Sequence, residues 1–105
     1  MTLGLYVLAA AAEIVGCFAF WTWWRQGASI LWLVPGTAAL LAFALLLALT
    51  PPAHAGRSFA AYGGVYIGAA LFWLRFVEHS AWRATDLTGG ALALAGAGVI
   101  LWGAR

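Results

Sequence analysis

A single carboxylate, Glu13, stands halfway along an apolar run from Leu3 to Trp24 that carries no other charge. An ionisable group at the centre of a bilayer-length segment costs at least about 2.5 kcal/mol to insert, and such groups are as a rule functional. Hydrocarbon favours the neutral acid over the carboxylate, so Glu13 is expected to take up and release a proton near neutral pH. Once deprotonated it attracts a cation, and nearby aromatic faces strengthen that attraction for organic cations. Proton and cation then compete for one place. A site that holds either ligand but not both, opened alternately to each side, couples downhill proton movement to uphill cation export.

Three- and four-residue spacing puts Tyr6, Ala9, Ala10, Gly16, Cys17, Phe20 and Trp24 on the face of Glu13. The small residues leave room beside the acid. Cys17 and Trp24 are therefore candidates for its surroundings, although Cys17 taken alone reads as a packing residue rather than a reactive thiol. A second cluster lies in the third apolar run, where Tyr62 and Tyr66 fall on one face at i and i+4. Gly63, Gly64 and Gly68 surround them, which is the composition of a helix that bends around a ligand. Arg57, at the mouth of that run, either guards a cavity or anchors to phosphate headgroups. Asp86, behind Thr85, reads as the N-cap of the last helix. His54 and His79 fall in loops without metal-ligand spacing, so neither a metal site nor a cofactor is expected. No serine, histidine or paired aspartate occupies the middle of a run, which argues against an enzyme.

The elements that position these groups follow from composition. The chain has 105 residues, 66% hydrophobic and 8% charged, which excludes a water-soluble domain and identifies an integral membrane protein. Crossing the hydrocarbon takes roughly 20 apolar residues per helix. Four stretches approach that length: 3–24, 30–49, 60–76 and 86–102. Arg25-Gln26-Gly27, Thr50-Pro51-Pro52 and Glu78-His79-Ser80 separate them. The runs are continuously apolar rather than alternating, so helices are expected and not barrel strands. The fold class is all-α: one four-helix transmembrane domain over 1–105 with short loops.

Ile14-Val15-Gly16-Cys17 loosely resembles a lipoprotein cleavage box. With no Lys or Arg before it and Glu13 inside what should be its apolar segment, the segment is read as a retained span. Tyr6, Trp21, Trp23, Trp24, Trp32, Trp82 and Trp102 are expected at the headgroups, and Pro35-Gly36 as a hinge or kink in the second span. The five basic residues are all arginine and scattered singly, so no nucleic-acid partner is expected.

The loops on one side carry Arg57 and Arg105, those on the other Arg25, Arg75 and Arg83. Insertion follows such counts, and a bias this small allows both orientations. Two oppositely oriented copies can then meet as an antiparallel homodimer. Gly89, Ala93 and Ala97, with Gly96, form a stripe of small residues that suits such a seam or equally well the packing within one subunit.

Several blocks carry a family resemblance: Glu13-Ile14-Val15-Gly16-Cys17-Phe18, Ala28-Ser29-Ile30, Gly56-Arg57, the stretch from Ala60 through Tyr62 to Ile67, Trp73-Leu74-Arg75, and Asp86-Leu87-Thr88-Gly89. Together they resemble the YnfA family of bacterial inner-membrane proteins, which is placed beside the small multidrug resistance transporters. The resemblance implies four transmembrane helices, an antiparallel homodimer in the inner membrane, and proton-coupled export of cationic aromatic compounds. Glu13 then corresponds to the membrane-embedded glutamate of the first helix, and Tyr62 to a tyrosine facing the substrate. The third-helix glycines match a bending motif only approximately. Val65, with Tyr66 beside it, stands where the drug exporters carry a tryptophan.

The leading expectation is thus a proton-coupled exporter of small or aromatic organic cations, its partners being membrane lipid, protons and a second copy. The rivals are a selective exporter of a small metabolite such as guanidinium, and a helical partner that supports a larger membrane complex.

Overall fold

The protein is described by a computed structural model at residues 2–50 and 54–103. Pro51 and Pro52, expected to end the second span, and Arg105, counted in the charge balance, lie outside the described residues. Four helices are long and apolar enough to cross a membrane. They are α1 (Thr2–Gln26), α2 (Leu33–Ala48) with a 3-10 turn at Ile30–Trp32 before it, α3 (Ala55–Phe76) and α4 (Ala84–Gly103). The chain falls into two compact parts, one built on α1 and α2 up to Leu49, the other running from Thr50 through α3 and α4.

In the first part, α1 stops where Gly27 adopts a left-handed backbone with φ of 70°. The Ala28 N–H then turns back to the Thr22 carbonyl at 3.2 Å, satisfying a terminal acceptor. Ser29 starts the next element by accepting from the Leu31 N–H at 3.2 Å. Pro35-Gly36 lies early in the second span, as expected of a hinge or kink there: Pro35 is the third residue of α2, where a missing N–H leaves no bond unmade. Gly36 is there for close approach. A Cβ on Gly36 would lie 2.7 Å from the Ala19 Cβ, and one on Gly16 would lie 2.8 Å from the Gly36 carbonyl oxygen. The two glycines let α1 and α2 touch backbone to backbone, as small residues do between membrane helices.

In the second part, α3 begins at Ala55, earlier than the expected residue 60. The helix thus takes in Gly56 and Arg57, and glycine in a first turn costs only about 1 kcal/mol. The Ser58 N–H reaches the His54 carbonyl at 3.2 Å and closes that turn. Helix α4 likewise begins at Ala84, so Asp86 is not its N-cap. Its Oδ2 accepts from the Arg83 N–H at 3.0 Å, the reach-back half of a capping box, and its charge still sits at the favourable end of the helix dipole. Thr88 Oγ1 donates to the Ala84 carbonyl at 2.9 Å. The α3–α4 packing is set by Gly64: a Cβ there would strike the Ala93 carbonyl oxygen and lie 2.5 Å from the Ala97 Cβ.

The turn between α3 and α4 is held by aromatics. Trp82 Nε1 donates to the Leu71 carbonyl at 2.8 Å, and its ring meets Phe76 edge-on at 5.9 Å, with Phe72 4.7 Å beyond. His79 carries a left-handed backbone at φ of 58°, a conformation in which side chains with a Cβ are strained. The Ser80 N–H returns to the Leu74 carbonyl at 3.0 Å. Replacing His79 by glycine is expected to stabilise the fold by about 0.5–1 kcal/mol, and replacing it by valine to destabilise it by more. Thermal denaturation in detergent measures both, and a glycine variant less stable than the valine variant refutes the assignment.

Candidate functional site

Glu13 lies in the middle of α1, on a face that is buried toward the helix start, at Tyr6, Ala9, Ala10 and Gly16, and exposed beyond it, at Cys17, Phe20 and Trp24. Tyr6, Ala9 and Ala10 are fully buried, and Ile14, Gly16 and Ala19 are buried. Glu13 itself is half-buried, with alanine and glycine at three- and four-residue spacing on either side of it. Tyr6 was expected among the interfacial aromatics. Its complete burial corrects that: it packs inside the protein, on the acid's own face of α1. Of the tryptophans expected at the headgroups, Trp21, Trp24, Trp32, Trp82 and Trp102 are exposed and Trp23 is half-buried.

The remaining candidates on α1 separate from one another. Cys17, one turn beyond Glu13, is exposed and within electrostatic reach of the carboxylate. Trp24 is 74% exposed, roughly 16 Å along the axis from Glu13 at 1.5 Å per residue. It belongs to a terminal aromatic group in which Trp23 lies 5.5 Å from it and Arg25 stands 4.5 Å over the Trp21 ring.

On α3 the structure brings Tyr62 and Tyr66 together, with ring centroids 6.0 Å apart and planes tilted by 44°. Tyr62 is buried and Tyr66 half-buried. Val65 is a buried aliphatic beside them. Arg57 is exposed in the first turn. The expected hinge glycines play three different parts. Gly63 has nothing within 4 Å of where a Cβ would be, Gly64 is jammed against α4, and Gly68 makes ordinary contact with Leu94 at 3.5 Å. Through all three, α3 is one uninterrupted helix. The small-residue stripe of α4 also divides. Ala93 and Ala97 serve the contact with Gly64, whereas Gly89 and Gly96 face open space.

Sequence reading overlooked Ser58. Its side chain is 3% exposed and its Oγ lies 2.6 Å from Thr50 Oγ1. The available signal was its place one turn before Tyr62 on the same face. Among the described residues no group of three or more His, Cys, Asp or Glu comes together.

An acid embedded in an apolar helix, small residues around it and four bilayer-length helices define a multi-pass integral membrane protein. The chain belongs to the family described as "Uncharacterised BCR, YnfA/UPF0060 family", whose model matches residues 1–105. A UPF0060 membrane protein of Pseudomonas aeruginosa (strain LESB58) is 52% identical over 100 residues, covering 95% of this chain and 92% of the relative. One from Pseudomonas paraeruginosa (strain DSM 24068 / PA7) is 51% identical with the same coverage. No solved structure matches.

Proposed function

We propose that the protein is a proton-coupled exporter of small or aromatic organic cations in the bacterial inner membrane, with Glu13 binding proton and cation in turn. The observation that carries this reading is Glu13 itself, half-buried in mid-helix on a stripe of alanine and glycine. A carboxylate at that depth attracts positive charge, and a proton and an organic cation both supply it. Val65 beside Tyr62 and Tyr66 is aliphatic where the drug exporters carry a tryptophan, and a less aromatic substrate-facing helix favours small cations over large planar ones. A single four-helix chain is thin for enclosing a ligand. The reading therefore includes an antiparallel homodimer, motivated by two arginines against three in the loops and helix ends on the two sides.

The assembly has its own test. Adding two arginines to the loop after α1 should force one orientation and reduce export in cells at least about tenfold, since loop arginines fix topology. Co-expression with a copy biased by arginines near Arg57 should restore it. Full activity of a singly oriented protein would rule out the antiparallel dimer. The exchange itself is tested by cation uptake into acid-loaded liposomes, with and without Glu13.

A further inference from the structure

The turn from α3 into α4 carries exposed aromatic and charged side chains at the end of a bilayer-length helix, which places it at the depth of the headgroups. Phe72, Phe76 and Trp82 are exposed there. Their rings form one row, Phe72 4.7 Å from Phe76 and Phe76 5.9 Å from Trp82. An interfacial tryptophan ordinarily offers its indole N–H to the wet side of the interface. Trp82 instead gives that N–H to the Leu71 carbonyl at 2.8 Å, so its ring is a fixed wall with no donor left over. Polar groups beside the row must then be held by its charged neighbours.

Those neighbours are Arg75, Glu78 and Arg83, all exposed. The Arg75 guanidinium stands over the Phe76 ring at 5.6 Å. The ring attracts it without consuming N–H donors as a carboxylate would, which leaves the guanidinium fork open to phosphate oxygens. Glu78 follows three residues later. The N–H groups of Val77 and Glu78 both reach the Trp73 carbonyl, at 2.9 and 3.1 Å, so the helical turn extends to Glu78 and the two side chains leave neighbouring points of its surface. Among the described residues neither Arg75 nor Glu78 is in an ion pair. Asp86 is turned back onto the Arg83 N–H. From Arg75 to Asp86 the formal charges are thus two positive and two negative. Such a turn has no net charge with which to draw an anionic headgroup, yet it presents both signs side by side.

We propose that this turn is a docking site for a phospholipid whose headgroup joins a phosphate to a primary ammonium, as in phosphatidylethanolamine. Arg75 donates to the phosphate oxygens, Glu78 accepts from the ammonium, and the phenylalanine row lies along the start of an acyl chain. A trimethylated headgroup has no N–H for Glu78, and a glycerol headgroup has no cation for it. This inference concerns the lipid that borders the span and does not rest on the export reading.

The test titrates the purified full-length protein in detergent with dioctanoyl phosphatidylethanolamine, phosphatidylcholine and phosphatidylglycerol, and measures bound lipid by native mass spectrometry. The wild type should bind the ethanolamine lipid about tenfold more tightly than the choline lipid, the worth of one charge-assisted hydrogen bond. Glu78→Gln should erase that preference by weakening the ethanolamine lipid alone, and Arg75→Gln should weaken both lipids by a similar factor. Equal unfolding temperatures of wild type and variants without added lipid separate these losses from a damaged fold. Equal binding of the ethanolamine and choline lipids by the wild type, or tightest binding of the glycerol lipid, overturns the proposal. So does a preference that survives Glu78→Gln, since it then arises elsewhere on the protein.

Discussion

Glu13→Gln is expected to reduce uptake of benzyltrimethylammonium into acid-loaded liposomes at least about 100-fold while leaving the helices folded. Glutamine keeps the shape and the hydrogen-bonding capacity of the neutral acid, so a half-buried position in α1 accepts it without repacking. What disappears is the charge. Removing one partner of a desolvated ion pair costs roughly 3 kcal/mol, equivalent to about two orders of magnitude. Coupling is lost as well, because an amide neither carries nor releases a proton in this range. Glu13→Asp should retain exchange at a reduced rate, since the charge remains but is withdrawn by one methylene. Survival of proton-driven uptake in Glu13→Gln would remove the acid from the mechanism.

The largest structural effect is expected at Gly64. A Cβ there meets the Ala93 carbonyl oxygen and the Ala97 Cβ, neither of which can swing aside as the end of a long side chain can. Relief requires α3 and α4 to separate, and overpacking of this kind typically costs about 1–3 kcal/mol for a small increment. Gly64→Ala should be destabilised by that amount, and Gly64→Leu should fail to accumulate as folded protein. The neighbouring residue is an internal control. Gly63 has open space beside it, and alanine there should leave stability unchanged or raise it by up to about 1 kcal/mol through helix propensity. Unfolding of the purified variants in a denaturing detergent compares them directly, and equal stability of the Gly63 and Gly64 variants would contradict the packing described here.

The pair also shows what was legible in the sequence. Four continuously apolar runs of bilayer length specify four helices without further information, since an unpaired backbone has no other place in hydrocarbon. Gly27 as a helix stop could be read directly, because a left-handed residue is the ordinary end of a helix. Adjacent glycines cannot be told apart in the same way. Gly63 and Gly64 look alike as letters, and only their angular position on α3 makes one a contact and the other an open face. Helix starts were equally obscure: α3 takes in Gly56 and Arg57, ahead of the apolar run that begins at residue 60. Tyr6 looked like a headgroup anchor because tyrosines near span ends usually are, whereas its burial depends on a tertiary arrangement that the letters do not encode.

Glu13 was visible at once, since an acid in an apolar run contradicts its surroundings whatever the fold. Ser58 was not, for the opposite reason. A serine near the start of a helix is ordinary, and only its near-complete burial and its short bond to Thr50 single it out.

Proton release on ligand binding bears most directly on whether this acid exchanges its hydrogen ion for an organic cation. Purified protein in weakly buffered detergent solution, mixed with benzyltrimethylammonium, should acidify the solution in the wild type and not at all as Glu13→Gln. Cation binding without acidification, or acidification that persists in Glu13→Gln, would contradict the account.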